Sequence, residues 1–160
     1  MRVAQLRKLL PGLFVVLGTT SAARAGTETA VLNVTATVLS SCTIEGGTLD
    51  FGQYVTGQAG DLDGVGEITL TNCQGQVTIA MDGGTAGSVS ARKMANAGNT
   101  LAYQLYRDPS RSQVWGEGGQ AFLGQILASQ ATLQVFGRIP GGQSVPPGTY
   151  TDTVNITLTF

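Results

Sequence analysis

The last eleven residues of the chain alternate between apolar and polar side chains with a period of two. One face carries Val154, Ile156, Leu158 and Phe160, and the other carries Thr153, Asn155, Thr157 and Thr159. Successive side chains of a β-strand point to opposite faces, so this pattern predicts a strand with one buried face. Residues 30–38 repeat the pattern, with one face made of Ala30, Leu32, Val34, Ala36 and Val38. Two predicted strands therefore bracket most of the chain.

Short alternating stretches separated by turn residues lie between these two. We expect strands at residues 48–54, 67–73, 76–82, 101–106 and 131–139, whereas residues 121–128 fit either a strand or a helical turn. Residues 57–66 and 83–100 are rich in small and polar side chains and are predicted to be connections. Only 12% of the 160 residues are charged, and 23 are glycine. The chain is therefore predicted to be all-β, a single β-sandwich domain of seven or eight short strands.

The first 25 residues have the three parts of a secretory signal peptide. Arg2, Arg7 and Lys8 supply positive charge, an apolar run follows at 9–18, and Ala-Arg-Ala at 23–25 fits a cleavage site. A transmembrane helix is the competing interpretation, but ten apolar residues fall short of the ~20 that span a bilayer. We therefore expect residues 1–25 to be removed on export to the periplasm.

The remaining composition excludes several classes of function. Residues 26–160 contain five basic and ten acidic side chains, a formal net charge of −5. The basic residues are scattered, apart from the pair Arg92 and Lys93, which we interpret as a solvated loop, so nucleic acid is not an expected partner. The chain contains no histidine, so it cannot build a Ser-His-Asp or Cys-His catalytic arrangement. We expect no enzymatic activity, no cofactor and no metal site.

Two cysteines, Cys42 and Cys73, remain after removal of the signal peptide. In an exported chain a single disulfide is the default expectation for such a pair. A metal site is the alternative, and it lacks the further ligands that histidines would provide. Closing a loop of this length stabilises a fold by roughly 3–4 kcal/mol in the chain-entropy model.

Three ordered motifs make the chain resemble a known family. They are YQLYRDPSRSQVWG at residues 103–116, VFGRIPGGQ at residues 135–143 and PGTYTDTV at residues 147–154, followed by the last predicted strand. Together they resemble the spore coat protein U domain, a family that includes pilin subunits of archaic chaperone–usher pili in Gram-negative bacteria. The resemblance extends from Val38 to Phe160, and Cys42 and Cys73 match the family's disulfide.

The resemblance implies an incomplete immunoglobulin-like β-sandwich completed by donor-strand exchange. A periplasmic pilus chaperone supplies the missing strand first, and the N-terminal segment of a neighbouring pilin subunit then replaces it at the outer-membrane usher. On this analogy residues 26–38 are the donor segment and residues 39–160 the pilin domain. The donor face is Leu32, Val34, Ala36 and Val38, and the last strand lines the acceptor groove with Val154, Ile156, Leu158 and Phe160.

Two functions are compatible with the sequence. A third, a tip adhesin, is disfavoured, because such adhesins usually carry an additional receptor-binding domain and this chain has room for only one domain. The first is a structural subunit of a surface pilus that supports adhesion and biofilm formation. The second is a secreted spore-coat or matrix protein with the same domain that forms no pili. The last predicted strand runs to residue 160 with no turn after it, so we expect an open strand edge there, which favours the first function.

Overall fold

The computed structural model describes residues 26–38 and 41–160, so the predicted signal peptide lies outside the described residues. The backbone divides into two units between Thr37 and Val38. Residues 26–37 form neither helix nor strand and are exposed throughout. The strand predicted at residues 30–38 is therefore not formed within this chain.

The second unit is built from antiparallel strands. In chain order they are β1 (Thr43–Glu45), β2 (Leu62–Thr71), β3 (Gly75–Met81), β4 (Lys93–Asn96), β5 (Asn99–Ala102), β6 (Gln104–Tyr106), β7 (Phe122–Ile126), β8 (Gln130–Ile139) and β9 (Ile156–Thr159). Three short 3₁₀ helices occupy Gly84–Ala86, Val89–Ala91 and Gly118–Gln120. One sheet has the order β1-β2-β8-β6, the other has the order β7-β3-β9, and β4 and β5 form a separate hairpin. The predicted all-β fold is confirmed.

The core lies between the inner faces of the two sheets. Ile68 and Leu70 of β2 and Val77 and Ile79 of β3 are each at most 2% exposed, as the alternation along both strands requires. Trp115 is 1% exposed, and its indole N–H donates a 2.9 Å hydrogen bond to the Ile79 carbonyl. The single tryptophan is thus part of the core, with its one polar atom satisfied.

Strand β2 begins at Leu62, so the prediction that this strand begins at residue 67 is wrong. Gly64 and Gly66 lie on its core face, where residues 47–51, which we name the strap, pass close over them. A Cβ atom on Gly66 would lie 2.9 Å from the Leu49 Cβ and 3.0 Å from the Thr48 carbonyl oxygen. These glycines, which resemble a connection in the sequence, therefore make room for a chain segment. The strap itself is not a strand, contrary to the prediction for residues 48–54.

The prediction that Arg92 lies in a solvated loop is wrong, because its side chain is fully buried. Its guanidinium donates to the carbonyls of Met81, Asp82 and Trp115 and to the Gln104 side chain, over 2.6 to 3.1 Å. Burial lowers the pKa of Arg92, although an arginine stays charged at any physiological pH. The side chain therefore fastens the region 83–100 to the end of β3.

The predicted disulfide between Cys42 and Cys73 is present, with 4.4 Å between the two Cα atoms. It ties the beginning of the second unit to the residues that follow β2. Within residues 26–38 and 41–160, no helix is long and apolar enough to cross a membrane. The same described residues contain no group of acidic, cysteine or histidine side chains placed to hold a metal ion.

Candidate functional site

An open groove of about 400 Å³ with a mainly apolar floor lies on one flank of the sandwich. The strap forms one wall, with Leu49 and Phe51, and residues 149–156 form the other. The floor comes from both sheets and from the β4–β5 hairpin, and it consists of Ile68, Met81, Met94, Tyr103, Leu105 and Val135. The groove therefore exposes part of the space between the sheets that a closed sandwich would fill.

Both walls of the groove retain backbone groups for pairing, although in the second wall Thr151 already exchanges two backbone hydrogen bonds with Ala95, and the Asn155 carbonyl accepts from Asp82. β9 pairs with β3 on one side, from Thr78 opposite Thr159 to Met81 opposite Ile156, and is the last strand of its sheet. Within the described residues, the strap takes part in no backbone-to-backbone hydrogen bond. An edge strand presents a row of N–H and C=O groups that another strand can pair with. An extended segment seated here would have backbone partners on one or both sides.

The structure separates the predicted acceptor residues into two groups. Val154 and Ile156 line the groove. Leu158 is half-buried at the margin of the core, and Phe160 is 58% exposed and outside the groove lining. The groove thus begins earlier along the chain than the predicted set indicates.

The predicted donor residues all lie in or beside the exposed first unit. Leu32, Val34 and Val38 are 85%, 82% and 91% exposed, and Ala36 is exposed as well. Aliphatic side chains exposed at alternate positions of one segment are costly in water unless they find a partner surface.

Sequence reasoning missed several groove residues, and one signal could have found two of them. Tyr150 and Asp152 are in phase with Val154 and Ile156, so the same alternation places them on the same face, and all four are half-buried. Met81 and Met94 carry no such signal, because they come from segments that reach the groove only in the folded chain. The sequence predicts Leu49 and Phe51 of the strap in a strand, and their place in the groove wall depends on the glycines beneath them.

Asp152 brings a charge into the groove, in contact with Tyr103. The Tyr103 hydroxyl donates a 2.6 Å hydrogen bond to Asp152 Oδ2. Burial, together with this bond, raises the pKa of Tyr103 above its ordinary range, so it stays protonated. Burial opposes ionisation of Asp152, but hydrogen bonds from Thr85 and Tyr103 outweigh it and lower the pKa of that carboxyl. The groove therefore holds an ionised carboxylate with a neutral phenol as partner.

Comparisons with known proteins agree with this architecture. The Spore Coat Protein U domain model matches residues 28–157. Protein U of Myxococcus xanthus is 43% identical over 164 residues, which cover 88% of this chain and 89% of that protein.

Two solved structures share the fold. One is the CsuC–CsuE chaperone–tip adhesion subunit pre-assembly complex of archaic chaperone–usher Csu pili from Acinetobacter baumannii. It has a TM-score of 0.55 and 21% identity, covering 78% of this chain and 40% of that chain. The other is the P pilus rod subunit PapA, with a TM-score of 0.52 and 20% identity, covering 74% of this chain and 97% of that chain.

These likenesses have different weight. At about 20% identity the pilus structures establish the immunoglobulin-like fold alone, whereas the family model spans most of the chain and Protein U is similar over nearly its full length. The chain belongs to the Spore Coat Protein U domain family.

Proposed function

We propose that this protein is a structural subunit of a bacterial surface pilus, assembled by donor-strand complementation. Residues 26–38 of one copy lie in the groove of the next and add a strand beside β9. The observation that carries the proposal is the groove itself, which is open and has an apolar floor. One wall leads into β9, the edge strand of its sheet, and the other is the strap, which makes no backbone-to-backbone hydrogen bond within the described residues. Strand addition to an exposed sheet edge is a recurrent mode of recognition that combines backbone pairing with side-chain pockets.

The shape of the groove favours a strand over a compact ligand. A small-molecule pocket encloses most of its ligand and needs few backbone contacts. Here the walls are two stretches of main chain, and the floor is aliphatic and aromatic. Seating Leu32, Val34 and Val38 would bury aliphatic surface worth about 5–10 kcal/mol per junction, before the cost of ordering the segment.

Repetition of this contact builds a filament. Each copy donates through one surface and accepts through another, so the contact is heterologous and has no need to close into a ring. A periplasmic chaperone would fill the groove before assembly, and an outer-membrane usher would guide the exchange at the cell surface. The finished pilus would support adhesion and biofilm formation.

Strand exchange is tested by electrophoresis of the protein co-expressed with a pilus chaperone and then released from it. We expect an unboiled sample to give a ladder of oligomers in SDS that collapses to monomer on boiling. A variant lacking residues 26–38 should fold with the chaperone, since those residues lie outside the sandwich, and give no ladder. Filaments from the truncated variant would refute the proposal.

A second candidate is a secreted coat or matrix protein that forms no pili. The observation that favours it is the 43% identity to Protein U and the family's spore-coat description. It predicts a monomer that unfolds cooperatively without a partner strand, and an unboiled gel with a single band. The two candidates therefore give opposite results in the same experiment.

A further inference from the structure

The groove contains one charged side chain that is not exposed. Along its second wall, half-buried Tyr150, Asp152, Val154 and Ile156 alternate with exposed neighbours such as Thr153. The other charged residues of the lining, Asp50 and Glu67, are exposed. Every second position along this wall is therefore apolar or aromatic except that of Asp152.

The Asp152 carboxylate is held in place by four donors. Oδ1 accepts the backbone N–H of Thr85 at 2.9 Å and of Thr153 at 2.8 Å, together with the Thr85 hydroxyl. Oδ2 accepts the hydroxyl of Tyr103, a residue that is 7% exposed.

Gly84 makes this close packing possible. It has a φ of +62°, and a Cβ atom there would collide with the Asp152 carboxylate. Held by its four donors, the carboxylate cannot turn away from an incoming strand without losing these bonds.

A strand seated in the groove must place one side chain opposite this carboxylate. A large aliphatic group would remove water from the charge and offer no hydrogen bond in return, which is unfavourable. A small side chain leaves space for water. Resting on the proposed function, we propose that Asp152 sets the register of the donor strand, admitting opposite it only the small Ala36 of a second copy.

This register gives every other donor side chain an apolar neighbour. Antiparallel pairing, the slightly more stable arrangement, with Ala36 opposite Asp152 sets Val34 opposite Val154 and Leu32 opposite Ile156. A shift by two residues would set Val34 or Val38 on the carboxylate. Placing Ala30 there instead would set Glu28 opposite Val154. Specificity then comes from a penalty on the wrong registers as well as from favourable contacts in the right one.

Disulfide trapping measures the register directly. In the proposed register, outward-facing Thr35 lies opposite Thr153, at a spacing that a disulfide can bridge. Full-length chains with Thr153→Cys are assembled with chains carrying Thr35→Cys, Asn33→Cys or Thr37→Cys, then oxidised and run on non-reducing gels. We expect trapping through residue 35 to exceed that through residue 33 or 37 by about tenfold. Equal or stronger trapping at 33 or 37 overturns the register, while absence of any cross-link or oligomer overturns the proposed function.

Ala36→Leu tests the role of the carboxylate. Residue 36 lies in the exposed segment, so the substitution leaves the sandwich unchanged, and we expect roughly tenfold fewer cross-links at residue 35. Thr37→Leu is the matched control, since it adds bulk on the outward face next to residue 36, and should assemble normally. Combining Ala36→Leu with Asp152→Ala in the acceptor should restore cross-linking. Assembly of Ala36→Leu at the level of the unsubstituted chain would show that Asp152 does not select the register.

Discussion

Residues 30–38 and residues 153–160 carry the same alternation of apolar and polar side chains, but only the second stretch forms a strand. Ile156–Thr159 becomes β9 because β3 lies beside it and supplies a ladder of hydrogen bonds. Residues 30–38 contain no strand, and Leu32 and Val34 are more than 80% exposed. Alternation therefore specifies which face of a segment is apolar, whereas a partner edge decides whether the segment becomes a strand.

The comparison predicts that a charge placed in residues 30–38 affects assembly and not the stability of the folded chain. Val34→Asp, in the exposed segment, should leave the free energy of unfolding within about 0.5 kcal/mol of the parent. Assembly should be abolished, because the donor strand would carry a charge into an apolar groove at a cost of several kcal/mol. Chemical denaturation and unboiled gels measure the two effects separately.

The control for Val34→Asp is Thr35→Asp, on the opposite face of the same segment. Its side chain would point to solvent in the assembled state, so the ladder of oligomers should persist. Loss of the ladder in both variants would mean that charge anywhere in the segment blocks assembly, and the face assignment would be wrong.

The strap offers a contrast with the second wall, residues 149–156. That wall leads into β9, whereas the strap makes no backbone-to-backbone hydrogen bond within the described residues. Gly66→Ala places a methyl group 2.9 Å from the Leu49 Cβ and 3.0 Å from the Thr48 carbonyl oxygen. We expect a loss of about 2–3 kcal/mol in unfolding free energy, as for other overpacked cores. Assembly should weaken too, since the strap must shift.

Gly60→Ala is the matched control for Gly66→Ala. A Cβ atom on Gly60 meets nothing within 4 Å, so its unfolding midpoint in denaturant should stay close to that of the parent. Equal destabilisation by the two substitutions would show that glycine flexibility, and not the strap, is what matters at Gly66.

Truncating an apolar side chain of the second wall, residues 149–156, should have a smaller effect on stability. Ile156 is half-buried and lines the groove, so Ile156→Ala should cost about 1–2 kcal/mol, less than a fully buried isoleucine. Thr157→Ala, on the exposed face, should be close to neutral. In the proposed assembly a donor strand would bury Ile156 further, so the loss should grow when unfolding is measured on assembled material. A loss of the same size in monomer and oligomer would place Ile156 outside the interface.

The sequence predicts the class of fold, the disulfide and part of the groove for physical reasons that can be identified. Alternation is local, so it identifies β3, β8 and the inward positions Val154 and Ile156. It misses the first half of β2 because Gly64 and Gly66 resemble a turn, and only the strap above them explains their place in a sheet.

Arg92 and Met94 show a further limit of sequence reasoning. Arg92 is buried because carbonyls from distant segments converge on it, and Met94 reaches the groove only through the fold of the β4–β5 hairpin. Neither environment is encoded in the neighbouring residues. Local sequence patterns therefore predict strands, whereas long-range contacts determine which residues form the floor of the groove.

The smallest expected effect is a dependence of stability on pH. It allows the carboxylate of Asp152 in the groove to be compared with that of Asp63 on the outer face. The pKa of Asp152 is lowered by its hydrogen bonds from Thr85 and Tyr103 in spite of burial, and that of Asp63 chiefly by its hydrogen bond from Arg138. A carboxyl whose folded pKa lies below its unfolded value of 3.8 stabilises the fold fully above that value. The stabilisation is then lost as pH falls through the lower, folded pKa.

We therefore expect unfolding midpoints to be level above about pH 5 and to fall in more acid solution. Asp152→Asn and Asp63→Asn should each flatten this slope, and Asp152→Asn should cost about 1 kcal/mol at neutral pH through weaker hydrogen bonding. Salt distinguishes the two sites, because about 1 M salt screens the ion pair of Asp63 and Arg138 more than the hydrogen bonds of Asp152, whose donors are uncharged. If salt removed the effect of Asp152→Asn as completely as that of Asp63→Asn, the carboxylate in the groove would be solvated and unable to discriminate between donor side chains.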